Sequence, residues 1–204
     1  MVWNGPAQAP LTMLLAHGAG APMDTPFMTF FAEGIAALGY RVGRFEFPYM
    51  AERRISGVKK PPNTAKVLLQ TWCDAIAACR AENIVIGGKS MGGRIASMVA
   101  DEQNVKGLVC LGYPFYGAGK RDKPRIAHLE NLRTPTLICQ GERDALGDRP
   151  AVEAITLSPK ITVHWLPDGD HDLKPRKASG FSHDENLQSA LDAVGTFLSR
   201  FAKA

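Results

Sequence analysis

Apolar residues run through this chain in two rhythms. Short continuous runs at residues 11–16, 84–86, 107–111, 136–140 and 161–166 have the aliphatic, β-branched character of strands covered on both faces. Residues 40–47 read as one more strand. Between these runs the spacing changes to that of helices with one apolar face. Phe27, Phe30, Phe31, Ile35 and Leu38 form one such set, Leu68, Leu69, Trp72 and Ile76 a second, and Met91, Ile95, Met98 and Val99 a third. A last set, Leu187, Leu191, Val194, Leu198 and Phe201, follows Ser182-His183-Asp184-Glu185, which has the form of a capping box.

The order of elements follows. After the strand at 11–16 comes a helix opened by Thr25-Pro26 and stopped by Gly39, then the strand at 40–47. Residues 48–63 are polar, basic and broken by Gly57, Pro61 and Pro62, and read as a long loop, a feature that in a compact domain is usually functional. A helix over 64–79, the strand from 84, a helix from 91 to about 103 and the strand at 107–111 come next. A basic segment through Arg125, a short helical piece at 126–132, the strand at 136–140 and a helix ending near 155 precede the strand at 161–166 and the final helix. Strands that alternate with helices predict an α/β fold, a mainly parallel, doubly wound sheet of about six or seven strands with helices on both faces. One domain over residues 1–204 is expected.

Composition narrows the class without setting it. With 45% apolar and 22% charged residues, the chain matches an ordinary soluble globular protein. No apolar run is long enough to span a bilayer, and Met1-Val2-Trp3-Asn4-Gly5-Pro6 lacks the order of a signal peptide, so a cytoplasmic protein without membrane partners is expected. Cys73, Cys79, Cys110 and Cys139 show no metal-type spacing and read as small buried thiols. A net charge of +4 with no aromatic-basic interleaving gives no reason to expect nucleic acid. The sequence specifies no oligomeric state.

Gly88-Lys89-Ser90-Met91-Gly92 reads G-x-S-x-G between a buried strand and a helix. That is the context of a nucleophile elbow, in which a sharp turn holds a serine hydroxyl above the carboxyl edge of a sheet, and glycines permit the close approach. A serine hydroxyl needs an imidazole to take its proton, and the imidazole needs a carboxylate to fix its tautomer. Both follow later strands: Asp144 in Gly141-Glu142-Arg143-Asp144, and His171 in Gly169-Asp170-His171-Asp172. Asp144 competes for the acid role with Glu142 and Asp148, and its place just past a strand end favours it. Of the other histidines, His164 reads as a packed strand residue, His183 as part of the last helix cap and His128 as part of a short helix. The aspartates flanking His171 read as turn residues. An oxyanion hole needs two convergent N–H donors, expected from Met91, at the helix N-terminus, and from Ala19 in His17-Gly18-Ala19-Gly20. Each would supply roughly 3 kcal/mol of transition-state stabilisation.

On these motifs the chain resembles the α/β-hydrolase superfamily over nearly its whole length, in particular the small dienelactone-hydrolase-like members and the testis-expressed-protein-thirty type. The resemblance implies a serine hydrolase without metal or cofactor, with Ser90 as nucleophile, Asp144 as acid and His171 as base. Dienelactone hydrolases proper carry a cysteine where this chain has Ser90, so their lactone substrate does not carry over. The first ten residues are too few for the antiparallel strand pair of larger members, which predicts a sheet truncated at that edge. Residues 112–135 are too few for a lid domain and predict an open site. Tyr113 and Phe115 are expected to line it, with His17 as a loop-shaping residue and Lys89 beside the nucleophile as further substrate contacts.

Three basic clusters fall in strand-end loops: Arg53, Arg54, Lys59 and Lys60; Lys120, Arg121, Lys123 and Arg125; and Lys174, Arg176 and Lys177. They suggest a positive rim that attracts an anionic substrate. The expected activity is hydrolysis of a small-molecule acyl ester or thioester through an acyl-enzyme. Peptidase or acyltransferase chemistry on the same triad, and a non-catalytic interaction protein of the same fold, are the rival readings.

Overall fold

The computed structural model describes residues 1–202. Nine strands are formed among them: β1 (Val2–Asn4), β2 (Thr12–Ala16), β3 (Arg41–Phe45), β4 (Ile84–Lys89), β5 (Gly107–Leu111), β6 (Tyr116–Gly117), β7 (Lys120–Pro124), β8 (Thr136–Gly141) and β9 (Ile161–Leu166). The α-helices are α1 (Pro26–Ala37), α2 (Pro48–Ser56), α3 (Ala65–Cys79), α4 (Met91–Val99), α5 (Arg149–Glu153) and α6 (His183–Leu198). Seven strands make one sheet in the order β1-β3-β2-β4-β5-β8-β9, parallel throughout except for β1.

The apolar runs are continuous because successive side chains feed two different cores. On one face Leu14, Ile86, Leu108, Cys110 and Ile138 pack with Trp72 of α3 and Ile95 of α4. On the other, Met13, Val85, Val109, Leu137 and Cys139 pack with Phe31 of α1 and Leu191 of α6. A strand with a two-residue period and a core on each side favours apolar residues at nearly every position, with Thr12, Thr136 and Gln140 as buried polar exceptions. Burial of one such side chain contributes about 2 kcal/mol. All four cysteines are free.

N-caps open α1 and α6 where the sequence predicts, while α4 ends at Val99, short of the expected 103. Thr25 accepts the Met28 N–H at 3.3 Å ahead of Pro26, and Ser182 and Glu185 close the capping box of α6. Connectivity then fixes the location of a site. The chain moves outward from β2 to β3 on one side and to β4 on the other, so the carboxyl ends of β2 and β4 flank the switch point where such sheets bind ligands.

Four expectations need correction. Residues 48–63 are not one loop, because α2 occupies the first half, with Pro48 in its first turn and Gly57 as a left-handed C-cap whose N–H reaches Arg53 O at 2.8 Å. Tyr49 and Met50 are its only buried residues, so its polar face dominates the pattern and hides the helical period. The edge is truncated less than expected, since β1 adds one antiparallel strand to β3. Part of the basic segment after β5 forms the β6–β7 hairpin. Residues 126–132 are turns rather than a helix, although Leu129 and Leu132 are buried as the spacing requires. Only residues 112–135 separate β5 from β8, and the molecule has no lid. No helix among the described residues is long and apolar enough to cross a membrane.

Candidate active site

Ser90 sits in the turn between β4 and α4 with φ 51° and ψ −117°, a left-handed conformation that a non-glycine residue rarely adopts. Its N–H is fixed to Leu111 O at 3.0 Å, and its hydroxyl makes no N-cap bond. The surrounding glycines leave no room for side chains. A Cβ on Gly88 would stand 2.3 Å from Ala16 O, and one on Gly92 would stand 2.5 Å from the same oxygen. The hydroxyl is therefore held away from the helix by backbone packing.

His171 Nε2 lies 2.8 Å from Ser90 Oγ, and His171 Nδ1 lies 2.7 Å from Asp144 Oδ2. The Nδ1–H tautomer satisfies both contacts, donating to the carboxylate and accepting from the serine. Asp144 is fully buried at the end of β8, and its charge is shared among three donors: His171, the Leu146 N–H at 2.8 Å and Gln140 Nε2 at 2.9 Å. Gln140, itself fully buried, also accepts the Tyr113 N–H at 2.7 Å and donates to Gly147 O at 3.0 Å. One amide thus ties Asp144 to the loops after β5 and β8. Sequence reasoning missed it, although a glutamine closing an otherwise apolar strand is a visible signal.

The histidine loop is tied down as well. Asp170 Oδ1 accepts the N–H groups of Asp172 and Lys174 at 2.9 and 3.0 Å, and Asn186 of α6 donates to Pro167 O and Leu173 O. Asn186 is a second position that sequence reasoning missed, since nothing in a helical pattern marks a polar residue that points inward to hold a loop.

Lys89, expected at the substrate, is 8% exposed and its ammonium turns to the histidine loop. Its ammonium donates to His171 O and pairs with Asp172 at 3.1 Å. Gly112, at φ 67°, makes space for this contact, since a Cβ there would stand 2.7 Å from His171 O and 3.1 Å from Lys89 Nζ. Burial lowers the Lys89 pKa, opposed by the Asp172 charge. The side chain borders the cavity while bracing the histidine.

The loop after β2 is shaped by residues outside it. His17 is fully buried: Nδ1 donates to Gly18 O at 2.7 Å and Nε2 accepts the Phe47 N–H at 3.1 Å. Burial holds its pKa below the ordinary value. It shapes the loop as expected, but the expectation that it contacts substrate is wrong, because it exposes no surface. From α2, Tyr49 donates its hydroxyl to Ala19 O at 2.9 Å and Arg53 donates to Gly20 O at 3.2 Å. Burial raises the Tyr49 pKa to about 12, so the phenol stays a donor. Among the described residues neither the Ala19 nor the Met91 N–H has a protein acceptor, and both residues border a cleft at Ser90.

Two cavities meet at Ser90. One, of about 600 Å³, is bounded by Gly18, Ala19, Phe27, Lys89, Ser90 and His171. The other, of about 440 Å³, lies between the start of α4 and the β6–β7 hairpin and is bounded by Ala19, Asn63, Met91, Arg94, Pro114 and Arg125. A larger hollow of about 690 Å³ over β9 and α6 is remote from this chemistry. Tyr113 and Phe115 line neither cavity. Both rings are fully buried, so their expected role as substrate contacts is corrected; their aromatic character serves packing, and Pro114 between them reaches the cleft. Of the expected positive rim, Arg54 pairs with Glu46 and Asp24, Lys60 with Glu52, Arg121 with Asp148 and Arg176 with Asp168, while Arg53, Lys59, Lys120, Lys123, Arg125, Lys174 and Lys177 form no ion pair among the described residues. No group of three or more histidine, cysteine or acidic side chains among the described residues is placed to hold a metal ion.

Comparison with solved structures finds the same architecture in several proteins. An esterase domain of a Rhodothermus marinus protein is 16% identical at a TM-score of 0.69, over 98% of this chain and 92% of that one. A lidless α/β serine hydrolase from Xanthomonas campestris is 18% identical at a TM-score of 0.67, over 99% and 88%. A dienelactone hydrolase from Anabaena variabilis is 21% identical at a TM-score of 0.68, over 98% and 88%. At these identities the likeness is one of fold. Residues 9–199 match the family model described as alpha/beta hydrolase domain. Nearly the whole chain is covered by that match, and the protein belongs to the α/β-hydrolase family.

Proposed function

We propose that this α/β hydrolase is a serine-dependent esterase or thioesterase working through an acyl-enzyme. The observation that carries the reading is the hydrogen-bonded chain Ser90–His171–Asp144, with contacts of 2.8 and 2.7 Å, built on a left-handed serine. In the first step Ser90 Oγ bonds to the substrate carbonyl carbon while its proton passes to His171 Nε2. Asp144 stabilises the resulting imidazolium. The developing oxyanion is received by the N–H groups of Ala19 and Met91. As the tetrahedral intermediate collapses, the C–O or C–S bond breaks and the alkoxide or thiolate leaves with the proton held by His171. Water then repeats the sequence on the acyl-serine, giving a carboxylic acid and free Ser90.

The test is hydrolysis of short-chain 4-nitrophenyl esters and acyl thioesters, with intact-mass detection of the trapped acyl-enzyme. The expected result is turnover with acyl mass mapped to Ser90, and loss of both in Ser90→Ala. Turnover that survives Ser90→Ala would overturn the reading, as would well-folded protein that neither acylates nor hydrolyses any member of the panel. Transfer of the acyl group to an added amine or alcohol in preference to water would redirect it to acyltransferase chemistry.

A further inference from the structure

The two cavities at Ser90 are not equivalent, because the proton must go to the leaving group. His171 borders the larger cavity and not the smaller one. A leaving group within reach of His171 Nε2 therefore lies in the larger cavity. With the oxyanion at Ala19 and Met91, the remaining substituent of the tetrahedral carbon, the acyl chain, projects into the cleft of about 440 Å³.

That cleft has an unusual set of polar groups. Its walls are Pro62, Leu68, Pro114 and Leu146, and its charged side chains are Arg94 and Arg125, with no aspartate or glutamate among the lining residues. Neither guanidinium forms an ion pair among the described residues, in contrast to Arg54, Arg121 and Arg176 at the rim. Among the described residues the one hydrogen bond from the Arg94 side chain is a long one to Met98 Sδ at 3.7 Å. Arg94 follows Ser90 by one turn of α4, about 6 Å along the axis at the usual rise. Arg125 is placed by its backbone: its N–H donates to Phe115 O at 2.7 Å and its C=O accepts the Tyr113 hydroxyl at 3.3 Å. Gly117 leaves room for its guanidinium, since a Cβ there would stand 2.9 Å from Arg125 Nη2.

Asn63 completes the set. Its Oδ1 is taken by the Tyr49 N–H at 2.9 Å, which leaves its NH2 group as the free end. Burial, with the Arg125 charge adding to it, pushes the Arg94 guanidinium below its ordinary value. Two like charges, one of them half-buried, share an apolar-walled cleft that offers donors and no counter-charge. An anion is the group such a cleft lacks, and paired guanidinium groups match a carboxylate in geometry as well as sign.

We propose that this cleft is the acyl subsite for an ω-carboxyacyl group, so that the preferred substrates are half-esters or half-thioesters of dicarboxylic acids whose distal carboxylate is held by Arg94 and Arg125. The proposal rests on the serine-hydrolase reading above, since that reading decides which cavity receives the acyl chain. It commits the charge preference to one pair of residues rather than to a diffuse rim.

The test compares 4-nitrophenyl hydrogen adipate with its neutral methyl ester, at fixed ionic strength, in wild type, Arg94→Gln, Arg125→Gln and Lys106→Gln. Lys106 stands at the opposite edge of the sheet, just before β5. The quantity read is the ratio of kcat/KM for the anionic ester to that for the neutral one. It is expected to exceed one in wild type, to fall about 10-fold or more in each arginine variant, and to persist in Lys106→Gln. A ratio at or below one in wild type overturns the proposal, and so does a high ratio that the arginine substitutions leave in place. Calorimetric titration of Ser90→Ala with adipate separates the two readings. Binding that disappears when Arg94→Gln is added supports the subsite even if no ester is turned over, in which case the hydrolase reading alone fails. Absence of adipate binding to Ser90→Ala overturns the subsite.

Discussion

Replacing Gln140 by methionine isolates the part played by the buried amide beneath the acid. The two side chains are both unbranched and similar in length, so the fully buried site is refilled without a large cavity. What changes is the hydrogen bonding. The Tyr113 N–H loses its acceptor at 2.7 Å, and Asp144 Oδ2 loses one of its two donors, at 2.9 Å. Tyr113 O and Gly147 O lose partners as well, at 3.2 and 3.0 Å. A buried group left unpaired costs about 1–3 kcal/mol, more when charged, so an orphaned N–H beside an under-supported carboxylate predicts a loss of about 2–5 kcal/mol. Urea unfolding should show this as a lower midpoint with an unchanged slope. Because Asp144 orients His171, kcat on a 4-nitrophenyl ester should also fall, by about 10-fold or more, with KM little changed. A Gln140→Met protein with wild-type kcat and a stability loss under about 1 kcal/mol would refute the argument that this amide holds the acid in place.

Three further outcomes are expected. Lys89→Met should lower kcat about 10-fold by freeing the His171 backbone; the Lys89 pKa is depressed by burial, so the unfolded chain binds more protons below pH 10.5, and the stability of wild type relative to the variant should rise as pH climbs toward that value, which urea titrations of both proteins would check. Tyr49→Phe should leave the fold intact and reduce kcat by about 10-fold, since the hydroxyl reaches Gly18 O at 3.4 Å, the carbonyl of the peptide unit that carries the Ala19 N–H, as well as Ala19 O at 2.9 Å, an effect that steady-state kinetics on neutral esters would read. His17 and His128 have pKa values lowered by burial, so the unfolded state binds more protons than the folded state below pH 6.5; stability should be lost as pH falls through that window, and His128→Gln should flatten the slope measured by thermal unfolding.

The strands and the Ser90 turn were legible because their signals are local. A run such as residues 11–16, apolar at every position but Thr12, is expected when both faces are covered, and a serine between glycines after such a run admits few other geometries. Order along the chain was enough to propose Asp144 and His171, since every strand end in a parallel sheet arrives at one edge. Helix α2 was hidden because its two buried residues, Tyr49 and Met50, are adjacent in sequence and too few to show a period. Tyr113 and Phe115 misled for a different reason: an aromatic after a strand can turn inward or outward, and that direction depends on partners distant in sequence, such as Gln140, 27 residues from Tyr113, which holds the Tyr113 N–H. Lys89 and the arginines at the edge of the sheet carry the same limitation. Composition gives their sign, but only tertiary pairing decides which charges meet a carboxylate and which stay unpaired.

Whether Ser90 is an activated nucleophile is tested most directly by labelling with a fluorophosphonate probe and mapping the modified peptide in wild type, Ser90→Ala and His171→Ala. Rapid modification confined to Ser90, abolished in Ser90→Ala and slowed at least about 1,000-fold in His171→Ala, is the predicted result. Equal labelling of wild type and His171→Ala, or no labelling of folded wild type, would contradict it.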